Sequence, residues 1–259
     1  MTPQGTQQNR RQMLGDQQPI VVDAYHQVKA RLNDLVERLA AEGEFRLPAE
    51  DQLSATLGVS RPTVRSALLS LQKEGKISRF HGRGTFINKY ALMMSANLAE
   101  DRPFLDIIAN LGYVATLRTL AIGETTPEAE IAAKLNLEQG GTTCTVDRIF
   151  EADGRPAVLS RDYVPVSRLL RQVAEVTAED STFTLVERNT SGRIQYSIAD
   201  LVPALADERT SEHLGVPAGR PMLLIRHLHL DERQEPVAVT DALVDDEVLR
   251  FSIVRTYLD

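Results

Sequence analysis

The stretch "LGVSRPTVRSALLSL", Leu57–Leu71, decides the fold. At 3.6 residues per turn, Val64, Leu68 and Leu71 fall on one apolar face, while Arg61 and Arg65 stack on a neighbouring polar face. A paired cationic face suits an anion. On its own, however, the segment reads more readily as a solvated surface helix, so its flanks must decide.

Upstream, "AYHQVKARLNDLVERLAAEGEF" sets Val28, Leu32, Leu35, Val36 and Leu39 at helical spacing, with Gly43 as a stop. Next, "RLPAEDQLSATLG" reads as a short helix opened by Pro48, Glu50 and Asp51 and closed by Gly58. The quoted stretch then supplies a third helix, capped by Ser60, with Pro62 in its first turn, running to about Glu74 before Gly75. Downstream, "KISRFHGRGTFINK" reads as two strands, Ile77–Phe80 and Thr85–Ile87, around the tip "HGRG". Three helices and a basic hairpin make a winged helix-turn-helix, whose third helix enters the major groove of DNA.

Charge agrees with that division. Residues 1–90 carry 13 Lys plus Arg against 9 Asp plus Glu, whereas the remainder carries 16 against 27, so a basic head sits on an acidic body. The single Cys144 makes no intramolecular disulfide and no metal cluster, which suits a reducing cytoplasm, and no cofactor or metal is expected. The Gln-rich start lacks an apolar core for a signal peptide, and no apolar run approaches a membrane span. The expected organisation is a disordered tail over 1–19, the winged head over 20–89, a linker over 90–97 and a second domain over 98–259.

The run "LPAEDQLSATLGVSRPTVRSALLSLQKEGKISRFHGRGTF" resembles the DNA-binding head of the GntR regulators almost without a break. The resemblance implies that Arg61 and Arg65 read base edges, that Ser60 and Thr63 bond phosphates, and that His81, Gly82 and Arg83 form the wing tip. Many relatives have Arg where this chain has Asp51, which implies one missing phosphate contact.

In the body, "EIAAKLNLEQGGTTCTVDRIFEADGRPAVLSRDYVP" and "RTSEHLGVPAGRPMLLIRHLHLDERQEPVAVTDALV" repeat each other. Leu135, Leu137 and Gly140 align with Leu214, Val216 and Gly219 at one offset, and one extra residue brings Pro156 onto Pro236. Two αββ units then form one antiparallel sheet with helices on one face. This half is similar to the UTRA domain of the HutC branch of GntR regulators, through "FLDIIANLGY", "LNLEQG", "DRIFEADGRPAVLSRDYVP", "HLGVPAGRPMLLIRH" and "EPVAVTDALVDDEVLRFSI". The implied fold is α+β: the winged head joined to a chorismate-lyase-like domain that binds a small molecule and dimerises the chain.

Relatives that take phosphorylated sugars or other anions tend to have Arg-x-Arg where this chain has Arg148 and Phe150. It also has Ser160, Ala238 and Val244 where many relatives have Glu, Glu and Tyr. Such walls suit a ligand with hydrocarbon surface and one anionic end, an amphipathic organic acid, with Arg148 as its anchor and Thr116, Arg118, Ser160 and Tyr163 as polar neighbours. Three alternatives stay open: a core that has lost its ligand, a register off by one residue, and Arg148 in a structural ion pair.

The expected function is a ligand-responsive regulator, by family habit a repressor, binding a palindromic DNA operator as a homodimer. An effector-independent architectural DNA-binder is the first alternative. An enzyme on the lyase-like body is the second, but no Gly-rich phosphate loop and no nucleophile with its base is evident. Among the scattered histidines, His227 and His229 share a strand face and read as packed or solvated.

Overall fold

A computed structural model describes residues 18–80, 82–92, 96–98, 101–178 and 180–255. The chain separates into two compact units, residues 1–97 with 253–259, and residues 98–252.

In the first unit, helices α1 (Gln18–Ala41), α2 (Glu50–Leu57) and α3 (Arg61–Lys73) are followed by β1 (Ile77–Phe80), β2 (Gly84–Ile87), the helical turn α4 (Lys89–Leu92) and the short β3 (Ala96–Asn97). Val28, Leu32 and Val36 from α1 meet Leu53 of α2 and Val64, Leu68 and Leu71 of α3 in one core. Gly58 ends α2 at φ 68°, a left-handed conformation in which its N–H reaches back to Ser54 O. Ser60 then opens α3 in extended geometry, its hydroxyl accepting from the Thr63 N–H. The glycine and the hydroxyl thus fix the turn between the second and third helices.

The hairpin pairs Ile77 with Ile87 and Phe80 with Gly84. Its second strand therefore starts one residue earlier than the sequence suggests. An isolated bridge joins Arg46 to Phe86 of β2, with Leu47 N donating to Thr85 O and Ile87 N to Phe45 O. Of the tail expected over 1–19, residues 1–17 lie outside the described residues, and α1 begins at Gln18. The expected linker, 90–97, contains most of α4 and all of β3, and residues 93–95 lie outside the described residues.

The second unit contains α5 (Phe104–Asn110), β4 (Ala115–Thr125), α6 (Ala129–Lys134), β5 (Thr143–Ala152), β6 (Arg155–Pro165), α7 (Thr182–Asn189), β7 (Tyr196–Leu205), α8 (Glu208–Leu214), β8 (Pro221–Leu230), β9 (Pro236–Val244) and β10 (Phe251–Ser252). Its large sheet has the order β4-β5-β6-β9-β8-β7 and every pairing in it is antiparallel. The order is a palindrome in the repeat: each half runs helix, edge strand, helix, hairpin, and the two hairpins meet at β6 and β9. The structural repeat, helix, strand, helix and hairpin, is therefore longer than the αββ unit read from the sequence.

Register assigns the faces. Cys144, Val146, Arg148 and Phe150 alternate with Thr145, Asp147 and Ile149 along β5. The repeat helices α6 and α8 share one face, α6 through Ile131, Leu135, Tyr163 and Val239, and α8 through Leu214, Ile149 and Leu159. The opposite face is covered too, by α7 through Leu185 and Val186 against Cys144, Val146 and Ala238, and by α5 through Phe104 against Phe150. A sheet with both faces buried explains the near-continuous burial of β5, β6 and β9. No described helix is long and apolar enough to cross a membrane.

Candidate functional site

In the head, packing of α3 dictates what α3 exposes. Val64, Leu68 and Leu71 are fully buried, so the helix rotation leaves the Arg61 and Arg65 side chains about two-thirds exposed. Acids from the first turn of α2 hold both. Asp51 Oδ1 lies 2.9 Å from Arg61 Nε, and Glu50 Oε2 accepts from Arg65 Nε at 3.1 Å and Nη2 at 2.9 Å. Glu50 also pairs with Arg79, and the bond from Arg65 together with the Arg79 charge holds its carboxyl below the usual range. Exposed ion pairs of this kind stabilise by about 0–1 kcal/mol, so the guanidiniums can exchange them for other acceptors at small cost.

Around this pair, Ser60 and Thr63 present hydroxyls 2.8 Å apart at the start of α3. Gly82 turns the wing at φ 71°, a conformation that favours glycine, with open space around it. Arg83 lies over the Phe80 ring at 5.9 Å, and its carbonyl accepts from Arg46. His81 lies outside the described residues. Two cations that sequence reasoning passed over, Arg46 and Arg79, line the groove between residues 43–52 and the wing together with Glu50 and Gly82. The isolated bridge from Arg46 to Phe86 sets Arg46 there, and no local pattern in the sequence signals it.

In the body, a cavity of about 100 Å³ opens on the α5–α7 face. Phe104, Phe150, Phe183 and Phe251 wall it, Ser181 and Thr182 enter from the start of α7, and Ser197, Ala199, His227, His229 and Thr240 form its floor. Beneath it runs one hydrogen-bonded chain. Asp162, fully buried, pairs with Arg148 through one oxygen and accepts from Thr182 at 2.8 Å and Thr240 at 2.6 Å through the other. Since Thr240 spends its proton on that carboxylate, its oxygen accepts from His229 Nε2, 2.9 Å away, leaving His229 Nδ1 to accept from Ser197 at 2.6 Å. That arrangement requires a neutral His229. Burial, and then the neighbouring His227, push its pKa down to about 3.

The chain matches bacterial regulatory proteins of the gntR family over residues 24–87 and the UTRA domain over residues 110–248, more than half its length. This protein belongs to the GntR family of transcriptional regulators, in the HutC branch that carries a UTRA domain. The regulator is 27% identical to the HTH-type transcriptional repressor NagR of Bacillus subtilis over 213 residues, 82% of this chain and 86% of that one. It is also 27% identical to the HTH-type transcriptional regulator GgaR of Escherichia coli, with 89% of each chain covered. Among solved structures, YydK from Bacillus subtilis superposes with a TM-score of 0.70 over 90% of this chain and 99% of that one, at 20% identity, and thus shares the fold.

For the regulator's body, the structure redraws the contact set expected from sequence. Of the eight residues, Phe150 alone lines the cavity. Thr116, Arg118 and Tyr163 stand on the opposite face, because they pair in register with Glu151, Ile149 and Thr145. There Thr116 and Arg118 both meet Glu151, and Tyr163 packs near α6. Arg148, Ser160, Ala238 and Val244 lie on the cavity's side of the sheet but are buried beneath neighbours. Arg148 is wholly inaccessible, its charge already met by Asp162, which corrects its expected role as an accessible anchor and matches the ion-pair alternative.

The residues missed were legible in the repeat. At the offset of 79 that aligns Leu135 with Leu214, Arg148 and Phe150 fall on His227 and His229, so the second copy supplies the equivalent wall. Cys144 is buried, and burial, with Asp162 nearby, pushes its thiol up to about 11, which leaves it protonated at neutral pH.

Proposed function

We propose that the regulator binds a short palindromic operator as a homodimer, represses from it, and is released when a small molecule occupies the body's cavity. The observation that carries the DNA half is the exposed Arg61–Arg65 pair on a helix whose opposite face is fully buried. A guanidinium fork matches the O6 and N7 acceptors of guanine, worth about 1–3 kcal/mol per well-made contact. The names of NagR, a transcriptional repressor, and of a "probable fructoselysine utilization operon transcriptional repressor" of Escherichia coli support the direction of control.

The test is a titration of operator DNA across a salt series with wild type and Arg65→Ala. The variant should lose about 1–3 kcal/mol on the cognate site and relax its preference at one position per half-site. Equal binding by both proteins would remove α3 from the groove. Release by an effector has its own check, because coupling is reciprocal: a true effector must bind the free regulator more tightly than the operator complex, by the factor it weakens DNA binding.

A further inference from the structure

The cavity's chemistry goes further than its existence. Its walls are four phenylalanine rings, with Ile107, Leu98, Pro103 and Ala199 between them. Its volume of about 100 Å³ is on the scale of the ~150 Å³ cavity that takes up a single benzene ring. Most polar side chains that line it are engaged with one another or with the layer below: Ser197 with His229, His229 with Thr240, and Thr240 and Thr182 with Asp162, while in that lower layer Ser160 Oγ and Arg148 Nε and Nη2 are buried without a partner. His227 differs. It lines the cavity half-buried, its ring stacked on His229 at 5.7 Å and edge-on to Phe104 at 6.4 Å, and neither of its nitrogens is hydrogen-bonded to a described residue.

Charge argues against an anion. Arg148, on the cavity's side of the sheet, does not line it: it is wholly buried and its charge is balanced by Asp162 through Nη1, although its Nε and Nη2 have no hydrogen-bond partner, so an anion in the cavity would meet no exposed, uncompensated cation on the floor. Asp101 and Arg102 at the rim bring opposite signs. Burial lowers the His227 pKa, which leaves a neutral imidazole able to donate one hydrogen bond and accept another.

We infer that the cavity takes an uncharged single-ring aromatic molecule bearing one hydroxyl or amide group, held edge and face by Phe104, Phe150 and Phe183 and hydrogen-bonded to His227. This inference rests on the cavity being the effector site, and it replaces the amphipathic acid expected from sequence. An uncharged ring gains the burial of its faces without the desolvation of a carboxylate or phosphate.

Calorimetric titration of the full-length regulator with phenol, benzamide, benzoate and glucose 6-phosphate tests it. Phenol or benzamide should bind saturably, benzoate at least tenfold more weakly, and the sugar phosphate not measurably. His227→Phe, which keeps the ring packing but removes the hydrogen bond, should weaken the uncharged ligand about tenfold, and Ala199→Phe, which crowds the cavity from β7, should abolish binding. Tighter binding of benzoate or glucose 6-phosphate, no binding by either uncharged probe, or indifference to both variants overturns the inference. The effector reading fails separately: a probe that binds in this pattern yet leaves operator affinity unchanged keeps the ligand class and removes its role in release.

Discussion

The head and the body handle charge in opposite ways. In the head, Arg61 and Arg65 stay at the surface, loosely held by Asp51 and Glu50, so each guanidinium remains available to another partner. In the body, Arg148 and Asp162 are both fully buried and committed to one another. The solvent explains the difference in consequence: an exposed pair is screened and exchangeable, whereas a buried pair has lost its hydration and cannot release either member cheaply. Arginine at the first place can change partners, and at the second it is a fastening beneath a mostly uncharged floor.

The sharpest way to break this contrast is Asp162→Ala. It strands Arg148 without a counter-charge and takes the acceptor from Thr182 and Thr240, so the body should lose about 3–5 kcal/mol in denaturant unfolding of the full chain. A loss below about 1 kcal/mol would show that the buried pair is as dispensable as the surface ones.

Acid should also separate the two regions. His229 has a folded pKa of about 3, below the ordinary value near 6.5, so between those values the unfolded chain binds more protons than the folded one. Stability from the neutral histidine is therefore complete above about pH 6.5 and is lost as pH falls towards 3. Lowering pH from 7 to 5 should cost the body about 1–2 kcal/mol, and His229→Gln should flatten that slope. An unchanged slope in the variant would place the acid sensitivity elsewhere.

In the head, Arg83→Ala should weaken specific and non-specific DNA binding alike and reduce the salt slope by about 1. A loss confined to one operator sequence would make Arg83 a base reader, the role proposed for Arg61 and Arg65. The smallest expected effect belongs to Asp51→Asn. Freeing Arg61 should raise operator affinity by up to about 1 kcal/mol with stability unchanged within about 0.5 kcal/mol. Reduced affinity would mean that Asp51 holds Arg61 in the conformation DNA requires.

The sequence by itself determined nearly all of the head. Its helices are set by 3.6-residue periodicity, by Gly58 and Gly75 and by the Ser60 cap, all of which act within a few residues, so Leu57–Leu71 was enough to place the arginine pair. The bridge from Arg46 to Phe86 escaped because it is a contact between segments about forty residues apart. In the body, the sequence determined the repeat and hence the sheet, because turns and alternation are local too. What it left open was which side of each strand faces which helix. A one-residue shift inverts a strand, and only tertiary pairing set Thr116, Arg118 and Tyr163 on one face and His227, His229 and Thr240 on the other. Whether Arg148 is a free cation or a spent one depended on Asp162, fourteen residues away on the adjacent strand, and on the layer of helix that sealed them both from water.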